Sequence, residues 1–172
     1  MKLVSPSKEF ESAFKLYYQD FLEHDIDNSD YYKDGVLDFS RYIECLNDEA
    51  RGVNLPDGYV PCNHYWLVND GGEILGAIRV RHRIDNEFLS LEAGHIGYDI
   101  APSKRGSGYG KAMLKFAVPK ASSLGIKQAL ITADEDNIAS RKVIEANGGK
   151  FEKIIFGKVF PGPVARYWLD CQ

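Results

Sequence analysis

Ser103-Lys104-Arg105-Gly106-Ser107-Gly108-Tyr109-Gly110-Lys111 is the stretch on which the reading of this chain turns. It follows a β-rich run, Ala93 to Ile100, that stops at Pro102, and it opens a predicted helix with Met113, Leu114, Ala117, Ala121 and Leu124 on one face. A strand, a turn with glycines at alternate positions and a helix start together aim several backbone N–H groups and the positive end of a helix dipole at one point. Such a point suits phosphate. Gly106, Gly108 and Gly110 let the backbone approach an oxygen with no Cβ in the way, while Lys104, Arg105 and Lys111 supply positive charge. Spacing excludes two other phosphate loops. A P-loop needs glycine where Arg105 stands and Ser or Thr where Ala112 stands, and the dinucleotide fingerprint needs GxGxxG after a first strand rather than GxGxG deep in the chain.

Working outward, Gly125 ends the helix and a short apolar strand runs through Ala129 to Thr132. Asp136 or Asn137 then caps a helix that stops at Asn147-Gly148-Gly149, and two strands near 151–156 and 164–169 finish the chain. Pro119 is expected to kink the helix that contains it. Upstream, Asn69-Asp70-Gly71-Gly72 marks a hairpin between two β-rich runs. Further upstream, Ser7 is placed to cap a helix with an apolar stripe from Phe10 to Leu22, and Phe39, Tyr42, Ile43 and Leu46 predict a second helix. The turn-rich loop Asn54 to Gly58 is a candidate flap. These elements predict a mixed α/β fold, one domain over residues 1–172, with a twisted, mainly antiparallel sheet flanked by helices.

At 172 residues, with 44% hydrophobic and 27% charged side chains, the chain has the makeup of a folded globular protein, which excludes a disordered or fibrous one. It contains no apolar run of the roughly 18 to 20 residues a membrane span needs and no signal-peptide pattern at Met1, so no membrane partner and a cytoplasmic location are expected. Three cysteines and four histidines are dispersed without ligand spacing, so no metal is expected. A net charge of −4 argues against nucleic acid as a partner. Residues 1–70 carry 14 acids and 6 bases, whereas residues 71–172 carry 11 acids and 15 bases. An anion on the second part and a cation near the first is one reading of that asymmetry, and ordinary drift of surface charge is the other.

With Arg105-Gly106-Ser107-Gly108-Tyr109-Gly110 between a strand and a helix, the chain resembles the GNAT superfamily of acyl-CoA-dependent N-acetyltransferases, whose signature is Arg/Gln-x-x-Gly-x-Gly/Ala. The resemblance extends to Asn137-Ile138-Ala139-Ser140 and Asn147-Gly148-Gly149 around the next helix, and to element order along nearly the whole chain. Within the superfamily it resembles the bacterial predicted acetyltransferases that carry a Gly-His-Ile-Gly-Tyr strand and an Arg-Tyr-Trp ending, here Gly94 to Tyr98 and Arg166 to Trp168.

The resemblance implies acetyl-CoA as cosubstrate and a primary amine of a small molecule or peptide as acceptor. It implies diphosphate on the amides of Arg105 to Gly110, with Lys104 and Lys111 beside it, pantetheine along Asp99, Ile100 and Ala101, and cofactor contacts from Asn137 and Ser140. The plainer alternatives are a helix cap for Asn137 and a solvated helix residue for Ser140. The family's tyrosine acid, seven residues after the Asn, is Ile144 here, so Tyr98, Tyr109, Tyr167 or solvent must protonate the thiolate. A backbone amide near Ile100 is the implied oxyanion donor.

Deprotonating a lysine-like amine at pH 7 costs roughly 4.6 kcal/mol, whereas protonating a departing thiolate costs only about 2 kcal/mol, so the base matters more. His95 and Glu92, both expected on the central strand, are the candidates for it, ahead of Asp99, which near the strand end is expected to face the cofactor; His95 is equally readable as a half-buried strand residue. Arg79, Arg81 and Arg83 alternate onto one strand face, as a carboxylate site or as an exposed edge that repels other strands, the latter slightly favoured. Glu23, Asp25, Asp27 and Asp30 form either an attractor for a cationic amine or a solvated face. The missing tyrosine leaves a non-catalytic CoA-binding sensor as the alternative, and the residues do not decide whether the chain pairs as a homodimer.

Overall fold

A computed structural model describes all 172 residues. In chain order the elements are β1 (Lys2–Val4), α1 (Glu11–His24), α2 (Ile26–Ser29), α3 (Lys33–Leu37), α4 (Phe39–Arg51), β2 (Cys62–Val68), β3 (Ile74–Arg81), β4 (Ile96–Ile100), α5 (Tyr109–Ser123), β5 (Gln128–Asp134), α6 (Ile138–Ala146), β6 (Lys150–Phe156) and β7 (Pro163–Asp170). The seven strands form one sheet in the order β1-β2-β3-β4-β5-β7-β6. Every pairing is antiparallel except β4 with β5, which run parallel and meet at one register position, Ile96↔Ile131.

Strand alternation divides the core in two. Ile78 and Val80 of β3 pack on one face against Met113 and Leu114 of α5, with Ile144 of α6 in the same cluster. Trp66 and Ala77 pack on the other face against Phe14, Tyr17 and Phe21 of α1 and Phe39 of α4. The alternating residues of β3 thus serve two separate helix layers, which places Arg79 and Arg81 on the α1 side. No helix is long and apolar enough to cross a membrane.

Several local expectations change. Ser7 makes no side-chain cap, because a short 3-10 turn over Lys8–Phe10 precedes α1. Asp38 is the residue that caps, accepting a bond from the Arg41 amide on α4 at 3.0 Å. Helix α5 continues through Pro119 to Ser123. The predicted strand from Ala93 is shorter. Leu89–Ala93 is a π-helical turn, which takes Glu92 off the strand, and β4 begins only at Ile96. Gly94 makes this junction: its φ is +65°, and a Cβ there would lie 2.4 Å from the Leu130 carbonyl oxygen. The exposed-edge reading of Arg79, Arg81 and Arg83 also fails for the first two, because β3 is flanked by β2 and β4.

Candidate active site

The glycine loop connects β4 to α5. A turn at Pro102–Lys104 uses the amide of Lys104 on the Ala101 carbonyl and that of Arg105 on the Pro102 carbonyl. The next amide with an acceptor in the protein is that of Ala112, on the Gly108 carbonyl at 3.1 Å. The six amides from Gly106 to Lys111 therefore have no internal partner and gather at the positive end of a 15-residue helix. Gly106 and Gly108 hold φ of +79° and +82°, which L side chains rarely adopt. Gly110 serves packing instead, since a Cβ there would stand 3.2 Å from Val143 Cγ2 of α6.

The loop's cations divide. Lys104 pairs with Glu73 at 2.8 Å. Arg105 pairs with Asp25 at 2.6 Å, donates Nε to the Ile100 carbonyl and lies over the Phe21 ring. Both brace the loop against the body of the protein. Lys111 alone of the three makes no ion pair.

Past Ile96↔Ile131, β4 and β5 separate and a wedge opens. Arg81 donates its amide to the His95 carbonyl and Ala101 donates to the Leu75 carbonyl, so the odd-numbered residues of β4 turn toward β3. The backbone groups of Tyr98 and Ile100 accordingly face the wedge. On the α5 side, the Tyr98 hydroxyl lies 2.8 Å from Ser140 Oγ on α6. Burial pushes the Tyr98 pKa up to about 12, against a lowering effect of the Ser140 hydrogen bond, so it remains a protonated donor at neutral pH. Asn137 Oδ1 accepts the Ser140 amide at 3.0 Å as the cap of α6.

On the α1 side, Asp99 Oδ2 accepts from the Tyr32 hydroxyl at 2.8 Å and lies 3.5 Å from Arg79, while Tyr17 donates to Tyr32 at 3.2 Å. Burial first, then neighbouring charge, raises both tyrosines' pKa well above the ordinary value, so they stay protonated. Asp99, which the resemblance places along the pantetheine strand, turns its side chain to the helix layer opposite α5, with Oδ1 unbonded. Tyr32 was missed because its segment carries no local signal; its partner lies 67 residues away.

The two residues nominated as base have little capacity left. His95 Nδ1 accepts the Leu130 amide at 3.0 Å, which puts the ring proton on Nε2 and leaves no free lone pair. Burial and the Arg81 charge lower its pKa and keep it neutral. Both oxygens of Glu92 accept the amides of Lys158, Val159 and Phe160 at 2.7 to 3.1 Å. Burial opposes ionisation of Glu92, but these bonds dominate and hold its pKa below the usual value. His95 joins two strands and Glu92 shapes the β6–β7 loop. Ile144, at the expected tyrosine position, is fully buried in the core.

One cluster was not legible from spacing: Glu49, Cys62 and His64 bring their ligand-type atoms within 4.8 Å of one another. His64 Nε2 lies 2.7 Å from Glu49 Oε2. Burial opposes charge on this ring, but hydrogen bonds with Cys62 and Glu49 prevail and push its pKa up to about 9. Because the folded value exceeds the free one, the resulting stabilisation is full below about pH 6.5 and is lost as pH rises through 9. Denaturant titrations at pH 6 and pH 10 will show the wild type losing roughly 3 kcal/mol more than His64→Gln over that interval. Equal losses in the two proteins would contradict this pairing.

The sequence profile of the Acetyltransferase (GNAT) domain matches residues 40–150. The chain belongs to the GNAT acetyltransferase family. Acetyl-CoA is the family's cosubstrate. No curated protein matches the chain by sequence. Among solved structures, it is similar to Mycobacterium smegmatis RimJ in complex with CoA-disulfide, at 16% identity and TM-score 0.71, covering 98% of this chain and 80% of that one. The ribosomal-protein-S5-alanine acetyltransferase of Vibrio fischeri matches at 12% identity and TM-score 0.68, over 99% of this chain and 92% of that one. A spermidine N-acetyltransferase SpeG variant from Vibrio cholerae matches at 12% identity and TM-score 0.65, over 99% and 95%. At such identities these likenesses establish the shared GNAT fold, and the matched span of the family profile contains both the glycine loop and the wedge.

Proposed function

We propose that this GNAT protein transfers the acetyl group of acetyl-CoA to a primary amine. The observation that carries the proposal is the run of six unpartnered amides, Gly106 to Lys111, at the head of α5 beside the β4–β5 wedge. Those amides and Lys111 hold the diphosphate, and the backbone of Tyr98 and Ile100 receives pantetheine along the open strand. Acetyl-CoA supplies the thioester carbonyl that the amine attacks.

Two chain residues then serve the proton transfers from opposite faces of β4. Asp99, fixed at Oδ2 by Tyr32, offers Oδ1 to the incoming ammonium and orients it as one proton passes to water before attack; a second proton leaves the nitrogen as the adduct collapses to amide and thiolate, and it balances the proton that Tyr98 gives to the sulfur. This replaces His95 and Glu92, whose acceptors are spent on backbone amides. Tyr98, protonated at neutral pH, is the donor toward the leaving sulfur in place of the residue at 144: its hydroxyl proton turns from the Ser140 carbonyl, which it reaches at 3.2 Å, while Ser140 Oγ at 2.8 Å donates to the phenolic oxygen.

The test is thiol release from acetyl-CoA across a panel of primary amines. We expect turnover with at least one acceptor class and turnover within about threefold of wild type for His95→Asn, whose Oδ1 replaces the Nδ1 acceptor. Tight CoA binding with no turnover on any amine would instead identify a CoA-binding sensor.

A further inference from the structure

We propose that Arg79 and Arg81, on the sheet face opposite α5, form a subsite for a carboxylate carried by the acceptor, so that the amine acetylated is an amino acid or a similarly spaced zwitterion. This inference rests on the acetyltransferase reading above. Position is the first support. Arg79 stands opposite Gly97 on β4, one residue beyond the last contact between β4 and β5, so the guanidinium lies beside the point where the wedge begins. A Cβ at Gly97 would come 2.9 Å from Arg79 Nε, so the missing side chain is what lets Arg79 lie across β4 there.

Charge is the second support. The ionisable groups facing the pair are Asp99 from β4, Glu49 from α4 and His64 and Cys62 from β2, with Tyr31 and Tyr59 at the rim. Glu49 is taken by His64, and Asp99 is shared by Arg79 and Tyr32. Arg81 has no carboxylate at all: its Nη1 reaches only the carbonyls of Gly94 at 3.1 Å and Ala93 at 3.4 Å. A half-buried guanidinium beside a second one, with no carboxylate in contact and only the more distant charge of Glu49 to offset it, is costly unless an anion completes it. Burial and the Arg79 charge accordingly lower the Arg81 pKa. The same positive excess opposes a metal ion among Glu49, Cys62 and His64.

Spacing chooses the ligand. Arg81 lies two residues along β3 from Arg79, roughly 6.6 Å, with the free oxygen of Asp99 at the Arg79 end. An ammonium on Asp99 and a carboxylate on the guanidinium pair fit an α- or β-amino acid. A polyamine would bring a second cation against Arg81.

The experiment measures thiol release with α- and β-amino acids, their primary amides, simple amines, spermidine and O-phosphoethanolamine. We expect kcat/KM for the acids to exceed that for the matched amides at least thirtyfold, expressed mainly in KM. Arg81→Gln should reduce that ratio to within about threefold, and Arg81→Lys should restore part of it. If Arg81→Gln does not fold, the wild-type ratio and Arg81→Lys decide. Equal use of acids and amides, a preference for spermidine or O-phosphoethanolamine, or a full ratio in folded Arg81→Gln overturns the subsite alone. Absence of turnover on every amine overturns the transferase reading and the subsite with it.

Discussion

Gly108→Val will lower the affinity for CoA at least a hundredfold, about 2.7 kcal/mol, while the protein still folds. Nothing in the protein lies within 4 Å of a Cβ at this position, so the side chain meets no internal clash and instead occupies the approach to the loop's free amides. Its backbone, however, sits at φ +82°, where a β-branched residue is strained by about 1 to 2 kcal/mol. A domain of this size then melts roughly 2 to 8 °C lower. Gly125→Val separates the two effects. Gly125 has the same φ and the same empty surroundings, but lies at the opposite end of α5. It should reproduce the loss of melting temperature and leave CoA binding unchanged. Calorimetric titration of both variants with CoA checks the expectation, and wild-type affinity in folded Gly108→Val would remove the basis of the diphosphate site.

The second large effect concerns stability. Arg166→Met should destabilise the protein by about 3 kcal/mol, a fall of roughly 6 to 12 °C in melting temperature. Arg166 is 5% exposed on β7. Its Nε donates to Glu152 at 2.7 Å, and its Nη1 donates to the carbonyls of Ser90 and Leu91 at 2.7 Å each. Methionine fills most of the space yet leaves the carboxylate and two carbonyls of the π-turn without their donor. Glu92 in the same turn binds the loop between β6 and β7, so the turn is tied to the C-terminal hairpin from both directions. Thermal melts test this directly. A variant melting within 1 °C of wild type would show that Arg166 does not hold the turn.

The Arg166-Tyr167-Trp168 ending illustrates how far local reading extends. As a string it marks a resemblance. In three dimensions Arg166 braces the π-turn, and the Tyr167 hydroxyl accepts from Arg141 and donates to Glu145 on α6. Arg105 is a parallel case: its place in the glycine motif was legible, but the structure turns its side chain toward Asp25 and leaves the neighbouring amides without a partner in the protein.

The amino-acid order alone determined the β-hairpin at Asn69 to Gly72, the two-faced strands, and the glycine-rich helix start, because each depends on dihedral preferences and periodicity within a few residues. Only the tertiary structure decided what the polar side chains do. His95 gives its lone pair to an amide 35 residues away, Glu92 to amides beginning 66 residues away, and Arg105 its guanidinium to a carboxylate 80 residues away. A titratable group becomes a base, a strut or a counter-ion according to which partner reaches its lone pairs or protons first, and that partner is set by how strands and helices pack rather than by its neighbours in the chain.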